Sequence, residues 1–203
     1  MVKKADIPDH VIDAALGLAA AGRWGDLSLA EIAEAAGLPI SKVYPVFSSK
    51  QAILDAFSRR IDAAVLAESD PDSAEGPARD RLFDVLMRRF DTLGPYKEGI
   101  GNLLFDQMRD PLAALCSLIQ LRRSMALMLE AAGLSSSGLR GVVRLKGLSL
   151  IYLTALRIWL RDDSPDKART MAVLDRQLRR AEALVNRCSG RTAPPTVEAA
   201  EDG

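Results

Sequence analysis

Between Ser28 and Lys50 the chain places Ser28, Ser41, Lys42, Tyr44 and Lys50 within one short stretch. Hydroxyl and ammonium groups at this density suit hydrogen bonding to phosphate oxygens, and a lysine or tyrosine can also reach base edges in a groove. That is binding chemistry, not bond-making chemistry. Elsewhere the residues assemble no catalytic set. His10 is the single histidine and precedes the first strong helical pattern, so a histidine-based triad would have to be built from a chain end. No Gly-rich phosphate loop follows a strand, and no His, Cys and carboxylate cluster has metal-ligand spacing. Asp162-Asp163 is a carboxylate pair, but Ser164-Pro165 behind it makes it a helix start. The pattern predicts a binding protein with no enzymatic activity, metal or cofactor.

Two short helices must position these side chains. In SLAEIAEAAGLPISKVYPVF, Leu29, Ile32, Ala33 and Ala36 form the packing face of the first, and Val43 and Phe47 that of the second. Ser28 with Glu31 has the spacing of a capping box. Gly37 falls at the turn, where the absence of a β-carbon relieves strain. This is a helix-turn-helix pattern, a unit that offers its second helix to the major groove.

With these signposts the segment resembles the N-terminal domain of the TetR family of transcriptional regulators. The matching features are an amphipathic helix over Val11–Ala21, the turn Gly22-Arg23-Trp24-Gly25, then Ile32-Ala33, Ala36-Gly37, Tyr44, Phe47 and Ser49-Lys50. The resemblance runs over Ile7–Ala64. It implies a homodimer that binds palindromic double-stranded operator DNA and responds to a small apolar ligand. Contacts to DNA would fall to Ser28, Ser41, Lys42, Tyr44 and Lys50.

The recognition segment departs from the family pattern. Pro39 and Ile40 follow Leu38 where the family has a polar cap, and Pro45-Val46 follow the tyrosine where polar residues are common. Proline is acceptable at a first helical position, but Pro45 pushes Tyr44 away from helical geometry, so the recognition helix should be short. Residues 1–65 carry seven basic and eight acidic side chains, a net of −1, so few phosphate contacts are available. Lys3, Lys4 and Arg23 are the remaining cations near the unit that could serve.

The wider chain has 203 residues, 48% hydrophobic and 27% charged, a balance suited to a water-facing globular fold with a substantial core. Helical periodicity recurs and strand alternation does not, so the expected class is all-α. Residues 1–68 form a helix-turn-helix unit, 77–188 a helical ligand-binding and dimerisation unit, and 189–203 a disordered tail. The longest apolar run is Leu148–Leu160, interrupted by Arg157, so no membrane-spanning segment is expected. The N-terminus lacks a signal-peptide stretch, which predicts a cytoplasmic location. Cys116 and Cys188 are expected to be thiols.

Two groups of side chains stand out in the second unit. Phe83, Met87, Phe90, Tyr96, Leu104, Met108, Met125 and Met128, with Leu86, Leu103 and Leu118, form Met-bearing stripes suited to an adaptable apolar pocket. Leu145, Leu148, Tyr152 and Trp159, with Leu174 and Leu178 on the last helix, could pair with symmetry mates as a four-helix dimer interface.

A second resemblance covers Arg157–Leu178. Its tryptophan-aliphatic helix end, Asp162-Asp163-Ser164-Pro165 and Leu174-Asp175-Arg176 are similar to the C-terminal part of the lipid-binding accessory proteins of coenzyme Q biosynthesis. Those proteins have a TetR-like fold and use it to hold isoprenoid lipids, which implies the alternative of a lipid carrier that no longer reads DNA.

Overall fold

Ile7, Val11, Ile12, Ala15, Leu16 and Ala19 recur at helical spacing, and in the computed structural model they form the buried face of α1 (Ile7–Ala20). The structure describes residues 6–22, 24–68, 76–107 and 109–190, and every regular element among them is helical. α1 begins four residues before the strongest apolar pattern, because Pro8 is compatible with a first turn whose amides have no internal partner anyway. α2 (Leu29–Ala35) starts at Ser28, whose hydroxyl accepts from the Glu31 amide at 3.2 Å. The Glu31 carboxylate accepts in return from the Ser28 amide at 2.9 Å. Gly37 then takes φ +66°, the left-handed turn the sequence calls for.

α3 (Ile40–Val43) is only four residues long, and the chain leaves it through turns at Tyr44–Val46. The recognition helix is short, as expected, but Tyr44 keeps helical geometry at φ −56° and ψ −38° and its amide donates to the Ile40 carbonyl, so Pro45 does not push it out of the helical region. α4 (Lys50–Ala67) is capped by Ser49, which accepts from the Ala52 amide at 3.2 Å. α5 (Ala78–Leu93) ends at Gly94-Pro95, as the proline and glycine there dictate. Those residues form one tight 3-10 turn, Gly94–Tyr96, that redirects the chain into α6 (Lys97–Gln107).

α7 (Pro111–Ala131) is capped by Asp110, which accepts from the amides of Leu112 and Ala113 at 3.0 and 3.1 Å. Its first half corrects the expectation about apolar runs. Pro111–Leu121 is eleven residues without charge, and α7 as a whole is long and apolar enough to cross a membrane. Its second half is nevertheless committed to the bundle, where Ser124, Met125, Met128 and Leu129 are buried. α8 (Gly138–Trp159) and α9 (Ala168–Gly190) are the last described elements, and they pair more extensively than any other two. α9 takes in the first two residues of the expected tail, 189–203, and the rest of that tail lies outside the described residues.

The Asp162 carboxylate organises the link between α8 and α9. It accepts from the amide and hydroxyl of Thr170, at 2.8 and 2.7 Å, and from Ser164. Burial opposes its charge, but the bonds from Ser164 and Thr170 outweigh burial and hold the carboxyl well below the usual range. Lys97, at the start of α6, donates to the Asp162 carbonyl at 2.8 Å and so joins this link to the middle of the fold.

One apolar core runs from α1–α4 through α5, α7, α8 and α9. Its aromatic centre is Phe90, stacked on Tyr152 at 5.4 Å and tilted against Trp159 at 5.6 Å. α1 lies so close to α6 that a β-carbon on Gly99 would come within 2.9 Å of the Leu16 carbonyl oxygen. Asn102 fixes the same contact by donating to the carbonyls of Ala19 and Ala20, both at 3.0 Å.

Candidate nucleic-acid interface and ligand cavity

The outer surface of α3 and its following turn carries Ser41, Lys42 and Tyr44, all exposed, with Tyr44 at 62%. These side chains are free to meet a groove. Around them, however, stand Pro39, Ile40, Pro45 and Val46, also exposed, so the presented face is largely apolar. Ser28 is exposed as well, but its hydroxyl is engaged with Glu31.

Lys50 is placed differently from the expected phosphate contact. Its ammonium donates to the carbonyls of Trp24 and Gly25, at 2.9 and 3.1 Å, and lies 5.4 Å from the centre of the Trp24 ring. A lysine with two carbonyl partners and an aromatic face acts first as a tie between α4 and the turn after α1. Arg60, almost three turns further along α4, makes a second tie. It donates to Asp13 at 2.7 Å, Asp9 at 3.3 Å and the Tyr96 hydroxyl at 3.1 Å. Asp106 on α6 adds a third, accepting from the Gly25 amide at 3.0 Å.

Beneath this unit a cavity of about 340 Å³ opens between α4, α5, α6, α7 and α8. α4 contributes Gln51, Leu54, Asp55, Phe57, Ser58 and Ile61, α6 contributes Leu103, Leu104 and Gln107, and α7 contributes Leu118, Gln120 and Leu121. Arg89 from α5 and Tyr152 and Leu156 from α8 also line it. The volume falls in the range that accepts a small organic ligand.

Of the pocket residues expected from sequence, Leu103, Leu104 and Leu118 line this cavity, whereas Leu86 is buried in the core. Phe90, Met125 and Met128 are fully buried in the core, and Phe83 and Met87 pack half-buried against it. Tyr96 is edge-on to Phe57 at 5.1 Å and bound to Arg60, while Met108 lies outside the described residues. The reason is position along α7. Met125 and Met128 lie on the half of α7 that is buried in the bundle, whereas the cavity is lined by the preceding turns, Ala114–Leu121.

Arg89 was missed, although the sequence carries its signal. It sits within the buried set Val85, Leu86, Arg89, Phe90 and Leu93 of α5, and a charge on an apolar stripe demands a buried partner. That partner is Asp62 of α4, paired with Arg89 and also accepting from the Ser124 hydroxyl of α7. Arg89 Nε donates to the Tyr152 hydroxyl of α8 at 3.3 Å. Burial works against the charge, but Tyr152 and Asp62 outweigh it and raise the Arg89 pKa above its ordinary value. Four helices thus meet at one polar cluster beside the cavity.

The residues expected at an intersubunit seam also sit elsewhere. Leu148, Tyr152, Trp159, Leu174 and Leu178 are buried in the protomer's own core, and Leu145 packs half-buried against it. They are therefore occupied before any second copy arrives. α8 instead presents Leu139, Val143 and Leu150 outward, at 84%, 63% and 67% exposure, and α9 presents Leu184 and Val185.

Residues 11–57 match the model of the bacterial regulatory proteins of the tetR family. Several solved TetR regulators share the architecture over most of the chain. The one from Nitrosomonas europaea is 22% identical, with 87% of this chain and 98% of that chain covered and a TM-score of 0.71. The N-terminal unit is of the TetR family, and the chain has the TetR fold. A TetR regulator from a Rhodococcus species aligns at 18% identity, over 83% of this chain and 91% of its own, with a TM-score of 0.60. A third, from Streptomyces coelicolor, is 22% identical over 91% of this chain and 88% of its own, with a TM-score of 0.57. Residues 120–185 match the COQ9 model, in agreement with the second resemblance seen in the sequence. Comparison with curated protein sequences gives no match.

Proposed function

We propose that this TetR-type chain is a cytoplasmic, non-enzymatic transcriptional regulator that binds palindromic operator DNA as a homodimer and is controlled by a small apolar ligand. Residues 1–68 face DNA, and 77–188 hold the ligand and the second copy. The observation that carries this reading is the double use of α4. Along one helix, Gln51, Leu54, Phe57, Ser58 and Ile61 line the cavity, while Lys50 and Arg60 fasten the helix-turn-helix unit. A ligand that prefers one position of α4 therefore selects one position of the DNA-facing surface.

Ser41, Lys42 and Tyr44 are the direct DNA contacts in this reading, with Lys50 acting through the turn it holds. Dimerisation uses the outward faces of α8 and α9. The test is a binding titration of genomic fragments against a scrambled control at two salt concentrations. Binding should prefer a palindromic fragment and weaken with a shallow salt slope, because few phosphates are contacted. Tyr44→Ala should relax sequence preference. Equal affinity for every fragment at low salt overturns the proposal.

The COQ9 match and the apolar surface of Pro39, Ile40, Pro45 and Val46 favour one second reading, a lipid-binding accessory protein that does not read DNA. The same titration separates the two, since that protein would bind an isoprenoid lipid stoichiometrically and show no fragment preference.

A further inference from the structure

Arg89 and Tyr152 face the cavity while almost wholly covered, at 5% and 4% exposure. Tyr152 accepts from Arg89 Nε, but its own hydroxyl proton has no acceptor among the described residues. A buried donor left unmade is costly, and a cavity ligand can supply what it lacks. The local charge decides the chemistry of that ligand. Asp62 already balances Arg89, and Asp55, a further acidic lining residue, accepts from Gln51 at 3.0 Å. A carboxylate entering here would add a buried negative charge without a free cation to meet it. An alkylammonium has no acceptor to offer the phenol proton. A carbonyl oxygen has two lone pairs and no charge, so it can take the proton and leave the Asp62–Arg89 pair whole.

We propose that the cavity selects a neutral, largely apolar molecule with a carbonyl head, whose oxygen accepts the Tyr152 hydroxyl proton beside Arg89. Ketones, esters and lactones belong to this class. This assignment rests on the cavity being a ligand site, as read above, and names the chemistry of that site.

Equilibrium dialysis of the full chain with three probes tests it: heptanophenone, heptylbenzene, which has a methylene in place of the carbonyl, and 4-heptylbenzoate. Heptanophenone should bind about five- to tenfold more tightly than heptylbenzene, the worth of one hydrogen bond. The benzoate should bind no more tightly than the hydrocarbon. Tyr152→Phe retains a ring to stack on Phe90 and should abolish the preference for the ketone over heptylbenzene. If that variant does not fold, the three probes on the native chain still decide. Equal binding of ketone and hydrocarbon, or a benzoate that binds most tightly, overturns the carbonyl head and leaves the cavity as an apolar site. Failure of all three probes to bind overturns the ligand site as well.

Discussion

Replacing Arg89 by leucine tests whether the buried cluster holds α4 to the rest of the bundle. Asp62 and Arg89 are 6% and 5% exposed, so water cannot restore either charge without opening the fold. Leucine recovers part of the lost volume but leaves the Asp62 carboxylate with Ser124 as its remaining side-chain donor. Breaking a buried pair from one side costs about 3–5 kcal/mol. For a chain of this size each kcal/mol lowers Tm by about 2–4 °C, so a fall of roughly 6–20 °C is expected. Removing both charges should be milder, because Asp62→Leu with Arg89→Leu orphans neither group, and we expect the double variant within about 2 kcal/mol of the native chain. Urea denaturation followed by circular dichroism on all four proteins gives the coupling energy directly. The reasoning fails if Arg89→Leu lies within about 1 kcal/mol of the native chain. It fails equally if the double variant loses the sum of the single losses.

Two further expectations follow from the α8 and α9 region. Asp162 is covered by its own loop, and its folded pKa is lowered, so its contribution is present above the unfolded pKa of about 4 and lost as pH falls through the folded value. Asp162→Asn should therefore reduce stability by about 2 kcal/mol at pH 7, with the gap to the native chain narrowing in acid. A gap that stays constant down to the acid limit of folding would contradict this. Leu150→Arg should convert a dimer to a folded monomer in sedimentation, whereas Leu174→Arg should unfold the protomer, because Leu150 is 67% exposed and Leu174 fully buried. A Leu150→Arg chain that remains dimeric excludes the outward face of α8 as the seam.

Local features were the legible ones. The capping box of Ser28 and Glu31, the turn at Gly37 and the brevity of the α3 helix each depend on neighbours within a few residues, and the sequence displays them. Features made by distant segments were harder. Periodicity identifies Met125, Met128 and Leu148 as apolar-face residues, but it cannot say whether that face meets a cavity, a second copy or the protomer's own core. Lys50 shows the same limit, since nothing near it in sequence reveals that the carbonyls of Trp24 and Gly25 stand within reach. Arg89 was the recoverable miss, a cation set among the apolar positions of α5.

The anchor points along α4 have a mechanical consequence. With Lys50 and Arg60 joined to the α1 side and Asp62 held in the buried cluster, the helix is a lever whose fulcrum lies near Asp62. Lys50 is twelve residues from that point, an arm of about 18 Å at the helical rise. A tilt of about 5° would sweep the far end through roughly 1.6 Å. Two copies tilting in opposite senses would change the separation of their α3 helices by about 3 Å, close to the ~3.4 Å rise of one base step. An adjustment too small to disturb the packing around Phe90 would thus be geared up to one full register of the double helix.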